Sequence, residues 1–207
     1  MKYEWRKQEK DLYSTKKQPV ILTVPKQKFI SMHGIGNPNG PEFSQRVQTL
    51  YPAAYGIKGA YKKFCVGRDV DYEDYVVFPL EGVWSLTEKG KQLDHLDKNE
   101  FSYDIMIRIP EFVPDELIQP TLEDVKKKKN LPEISDIEIK EYPAKEVAQI
   151  LHVGKYDDEP ASFKKIDEFV AENQKQRVSK IHREIYLSDA RRVAPEKLKT
   201  ILRYEIK

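Results

Sequence analysis

Apolar residues are arranged along the chain in short alternating bursts cut by proline and glycine, interleaved with three stretches of helical spacing. The bursts Val20–Val24 and Phe29–Met32 read as strands, as does Tyr75–Leu86, where Pro79 implies an edge or a bulge. Ser102–Pro110 puts Ile105, Ile107 and Ile109 on one strand face. Val147–Val153 and Lys199–Ile206 are further strands. Between them, His182 to Asp189 alternates so that Ile185 and Leu187 share one face while Glu184 and Tyr186 share the other. Helical spacing starts at Pro41 and Glu42 and carries Phe43, Val47, Leu50, Tyr51, Ala54 and Tyr55, with Pro52 expected to disturb its middle. A second helix is predicted from about Asp115 to Lys129, and a third carries Phe163, Ile166, Phe169 and Val170 to about Gln176. Residues 2–17 are dense in lysine, with scattered Tyr3, Trp5, Leu12 and Tyr13. They suggest a short amphipathic segment packed loosely on the body.

The two halves of the chain repeat one order: strand, glycine loop, helix, strand, strand. Ile35-Gly36 ahead of Pro41 and Phe43 mirrors Val153-Gly154 ahead of Pro160 and Phe163. In this register Phe78 and Leu80 fall opposite Ile185 and Leu187, and the strand Tyr103 to Ile109 opposite Thr200 to Ile206. The predicted fold class is therefore α+β: duplicated β-α-β-β units with pseudo-two-fold symmetry, antiparallel sheets forming a central ligand cleft, and helices on the outer faces. Residues 1–19 are read as an N-terminal extension. Residues 20–207 form a single domain of two repeats, about 20–110 and 143–207, joined by a helical linker over 111–142.

Composition narrows the function. Thirty-six basic against 34 acidic residues leave a formal charge of +2, too balanced for a polyanion partner, so no nucleic acid is expected. The single cysteine, Cys65, excludes an internal disulfide framework and suits a reducing cytoplasm. There is no long apolar run, so no membrane partner is expected. Four dispersed histidines, His33, His95, His152 and His182, lack metal-site spacing, and neither a metal nor a cofactor is proposed. Gly34 and Gly36 lack the third glycine of a dinucleotide loop, its place being taken by Asn39. The expected state is a monomer or weak dimer.

A carboxylate in mid-strand on a cleft-facing surface is costly unless bonded, which makes Glu184 a candidate functional group beside the Tyr186 phenol. Pockets favour the seam of a duplicated fold, where Glu184, Tyr186, Trp84 and Glu81 would converge. Tyr55, Tyr103, Met106, Phe112 and His33 complete the expected ligand-binding set, with Glu81 held as the reserve base.

Three blocks carry a family likeness: Glu184 to Asp189 followed by Ala194 to Thr200, His152 to Tyr156, and Pro79-Leu80-Glu81-Gly82-Val83-Trp84. Together they resemble the GyrI-like small-molecule-binding proteins, relatives of the effector-binding domains of multidrug-responsive transcription activators. The resemblance covers roughly residues 20–206. It implies an aromatic-lined cleft with an acidic residue, matched here by Glu184, that meets hydrophobic or cationic small molecules. The Pro-Leu-Glu-Gly-x-Trp block is similar to a stand-alone subgroup in which some members hydrolyse the cyclopropane of DNA-alkylating cyclopropanoids. Ser85 stands where many of those relatives carry a second tryptophan, so a differently shaped aromatic clamp is expected. The implied activity is hydrolysis by glutamate-activated water. The alternatives are a non-catalytic drug-binding or sensing protein, or a protein-inhibitor module.

Overall fold

The computed structural model describes residues 2–68 and 71–207. The chain runs through α1 (Trp5–Gln8), β1 (Val20–Val24), β2 (Gln27–Ile35), α2 (Pro41–Gly67), β3 (Leu80–Leu86), β4 (Phe101–Ile109), α3 (Ile118–Lys129), β5 (Glu138–Tyr142), β6 (Lys145–Val153), α4 (Glu159–Glu172), β7 (His182–Tyr186) and β8 (Lys199–Glu205). All eight strands join one antiparallel sheet in the order β1-β6-β8-β7-β3-β4-β2-β5. The duplicated architecture is therefore present, with one continuous sheet where separate sheets were expected. The halves meet edge to edge through β3 and β7.

The leading strand of each half is exchanged. β1 pairs with β6, and β5 pairs with β2, so each unit donates its first strand to the other. β5 falls in the stretch read as a helical linker. Its alternation, Glu-Ile-Lys-Glu-Tyr, carries too few apolar residues to signal a strand. The mirrored glycines do mark equivalent corners: Gly36 has φ of +115° and Gly154 has φ of +143°, a backbone that favours glycine.

The sheet curls into a half-barrel. Arg183 on β7 donates from Nη1 to Gln27 Oε1 on β2 at 3.0 Å, and its guanidinium lies 4.6 Å from the Tyr142 ring centre on β5. Four strand steps in a flat sheet would separate β7 and β5 by about 19 Å, so this face must be concave. The helices α2 and α4 pack on the convex face.

The concave interior is polar and sealed by the N-terminal segment. Glu81 is 1% exposed and pairs with Arg183 at 3.3 Å. Arg203 bonds Gln149 and the Leu12 carbonyl, while Arg108 pairs with Glu9. Trp5, Leu12 and Tyr13 are buried, so the segment expected to lie loosely is a plug. The curled sheet leaves an interior that only these rings and the partners of its arginines can close.

Pro52 does not break α2, which runs unbroken for 27 residues. Leu50, Ala53, Ala54 and Ile57 around it are buried, and packing of that face outweighs the lost backbone bond. Pro79 lies just ahead of β3 rather than inside it, which removes the expected bulge.

Removing the partner of a buried ion leaves an uncompensated charge. Arg183→Leu should lower the unfolding free energy by about 3–5 kcal/mol, measured by denaturant titration. Combining it with Glu81→Leu should restore most of that loss.

Candidate functional site

A cleft of about 1710 Å³ opens on the convex face between α2 and α4, over the central pair β3 and β7. α2 lines it with Phe43, Val47, Tyr51 and Tyr55, α4 with Glu159 and Phe163, and the sheet with Trp84, Glu184 and Tyr186. Trp5 and Arg6 of the N-terminal segment close one end, and Leu93 and Leu96 of the β3–β4 loop the other. The aromatic surface is continuous. Trp84 lies 6.0 Å from Phe43, 5.4 Å from Phe101 and 5.0 Å from Tyr103 between ring centres.

The floor is a hydrogen-bonded chain. Trp84 Nε1 donates to the Tyr186 hydroxyl at 2.9 Å, and that hydroxyl donates to Glu184 Oε2 at 2.7 Å. The other carboxylate oxygen lies 3.2 Å from His182 Nε2. Glu184 is 8% exposed, so these bonds replace water that burial removes. Gly82, directly opposite Glu184 in the ladder, makes room for the chain. A Cβ there would stand 2.6 Å from Trp84 Nε1 and 3.1 Å from the Tyr186 oxygen.

Glu159, the first residue of α4, completes the floor. It is 7% exposed, and its Oε1 has no hydrogen-bond partner among the described residues. Burial first, then the charge and hydrogen bond of Glu184, push its carboxyl up to about 10. A helix N-terminus favours the ionised form, so here desolvation and a like-charged neighbour overcome the dipole. Burial and the Glu184 charge likewise hold the Tyr186 phenol well above its usual range, with the Trp84 bond opposing. Tyr156, whose ring lies 6.0 Å from that of Tyr186, is pushed up to about 12 by burial and by Glu184.

The sequence model of the GyrI-like small molecule binding domain matches residues 17–206. This chain belongs to the GyrI-like family. A conserved protein from Listeria innocua is 32% identical with a TM-score of 0.86, the match covering 99% of this chain and all of that one. A hydrolase from Listeria innocua is 30% identical with a TM-score of 0.84, both chains being covered in full. The C-terminal domain of EcmrR, 12% identical with a TM-score of 0.53 over 92% of this chain and 97% of that one, shares the fold. No curated protein matches.

Within this GyrI-like cleft the structure brings together Glu184, Tyr186, Trp84 and Tyr55, and Ser85 borders it. The other expected residues lie elsewhere. Tyr103 stands behind Trp84 as packing, 5.3 Å from Phe43. Glu81 and Met106 face each other on the concave side, because alternation turns odd positions of β3 away from the helices. Phe112 packs among Tyr3, Tyr61 and Tyr75. His33 is exposed at the end of β2, beside Asp104. Glu159, His182, Phe43, Tyr156 and Phe163 were not singled out as site residues. Glu159 reads in sequence as an ordinary first-turn acid ahead of Pro160; only its position across from β7 sets it apart.

Two outcomes follow from the floor's geometry. Gly82→Ala should force Trp84 and Tyr186 apart, shift tryptophan emission and lower stability by about 1–3 kcal/mol. Glu159 keeps its proton in the folded state and loses it in the unfolded chain at an ordinary carboxyl pKa. Its contribution therefore destabilises increasingly as pH rises above about 4.3 toward 10. Glu159→Gln should thus raise the thermal midpoint more at pH 8 than at pH 5, read by calorimetric melting.

Proposed function

We propose that the cleft binds planar hydrophobic xenobiotics and that Glu184 activates a water to hydrolyse the cyclopropane ring of DNA-alkylating cyclopropanoids, a detoxification carried out in the cytoplasm. The observation that carries this reading is the Glu184 carboxylate, fixed by Tyr186 and His182 at the floor of an aromatic cleft. The family supports the binding half, and the hydrolases from Listeria innocua at 29% and 30% identity support the catalytic half.

Each ring stacked on Trp84 or a neighbouring tyrosine adds about 0.5–1.5 kcal/mol beyond burial, which gives affinity with little shape selectivity. A strained ring supplies its own driving force, so the site needs mainly to position water and accept its proton. Water attacks the ring methylene and the ring carbon–carbon bond breaks. The electron pair moves into the conjugated carbonyl, whose oxygen takes a proton from solvent, and the water proton passes to Glu184 and from there to solvent, which restores the carboxylate. The Tyr186 hydroxyl already donates to Glu184, so its part is to aim that carboxylate rather than to protonate the substrate.

The test is turnover of a cyclopropanoid alkylator followed by chromatography. Native protein should yield ring-opened product in excess of the protein present. Glu184→Gln should retain binding and lose at least about 100-fold in rate. Protection that stops at one equivalent, with no product, would instead make the protein a drug-sequestering one.

A further inference from the structure

The two carboxyl groups on the cleft floor have no cation between them. Glu184 receives Tyr186 and His182, and Glu159 lines the same floor, buried, with its carboxyl raised first by desolvation and then by the Glu184 charge. The remaining Glu159 oxygen, Oε1, is buried and unpartnered among the described residues. Among the described residues, the arginines buried in the concave interior reach Glu81 and Glu9, and none is paired with this floor. The rings of Trp84, Tyr156 and Phe163 line the same cleft, surfaces that attract a flat cation.

We infer that Glu159 is a second ligand-binding carboxyl of the cleft: it shares one proton with Glu184, and a planar organic cation seated on the floor displaces that proton to solvent. The inference rests on the reading that the cleft takes planar small molecules. The balance is simple. Before binding, the two acids carry one proton and one negative charge; afterwards they carry two negative charges against the ligand's positive one, and one proton has left.

Cation affinity must then rise with pH. The other groups facing the pair do not supply this slope. Lys98 holds Asp157 below the usual carboxylate range. Tyr156 is raised to about 12, and burial holds Tyr186 well above its usual range. His152, beneath α4, has both ring nitrogens engaged by Ser162 and the Lys155 carbonyl. His182, bonded to Glu184, is the one group that needs its own control.

The probes are N-methylacridinium, a permanent flat cation, and N-methylacridone, its neutral counterpart, titrated by fluorescence between about pH 6.5 and 8.5. Affinity for the cation should rise by up to about tenfold per pH unit, and affinity for the neutral compound should stay level. Calorimetry of native protein in two buffers of different ionisation enthalpy should count close to one proton released per cation and none per neutral ligand. Glu159→Gln should abolish the slope and weaken cation binding at the upper pH; His182→Gln should keep the slope. Both probes binding without pH dependence would overturn the shared proton while leaving the cleft reading intact. A slope that survives Glu159→Gln, or vanishes in His182→Gln, would also overturn it. Failure of both probes to bind would sink the cleft reading itself.

Discussion

The structure depends on the antiparallel pairing of β3 with β7, the single seam at which two exchanged units become one sheet. Each unit alone would expose an open strand edge and an unfilled hollow. Pairing the edges removes that liability and forces the continuous sheet to curl. The curl in turn divides the molecule. The concave side becomes a closed interior that the N-terminal plug completes, and the convex side carries two helices with a groove left between them.

Buried charge is used in opposite ways on the two sides. Inside the half-barrel every carboxylate has a guanidinium: Glu81 meets Arg183, and Glu9 meets Arg108. The guanidiniums oppose the desolvation of Glu81 without cancelling it: burial holds its carboxyl above the usual range, and its Oε1 has no hydrogen-bond partner among the described residues. On the cleft floor Glu159 and Glu184 lie without a guanidinium between them, and desolvation first and the Glu184 charge second keep a proton on Glu159. Opposite charges make a scaffold, like charges make a site. The parity of a strand decides which residue serves which purpose: Glu81 and Trp84 are three positions apart and point to opposite faces.

Alternation and punctuation made most of this fold legible before any coordinates. Seven of the eight strands, the three long helices and the mirrored glycine corners follow from local pattern. β5 did not, because an edge strand half exposed to solvent carries little apolar signal. The plug was misjudged because its lysines advertise a solvated segment, while Trp5 and Tyr13 are buried by long-range contacts that sequence does not display. In the site, Glu184, Tyr186 and Trp84 were visible as one acid and two rings on alternating strands. Glu81 was misplaced although the parity that separates it from Trp84 is readable along the strand, and Tyr103, Met106, Phe112 and His33 because face and depth depend on packing between elements. Glu159 was invisible because its chemistry comes wholly from a neighbour on another element.

The register of the duplication explains why one cleft rather than two arises. Sequence offsets had aligned Leu80 with Leu187, but strand pairing gives a different correspondence. Ser31 and Gln149 are equivalent from the glycine corners. They face Met106 and Arg203, which face Glu81 and Arg183 in turn. The axis therefore relates Glu81 to Arg183, Gly82 to Glu184, and Trp84 to Tyr186. At each step the two equivalent residues are complementary rather than alike. The acid pairs with the guanidinium, the glycine clears space for the glutamate, and the indole donates to the phenol. Identical halves would have set two like charges, or two bulky rings, against each other at the seam. Divergence at three of the four pairs of positions from Glu81 to Trp84, with Val83 and Ile185 alike at the fourth, turned that conflict into the contacts that hold the seam and left one glutamate, Glu184, on the sheet beneath the cleft.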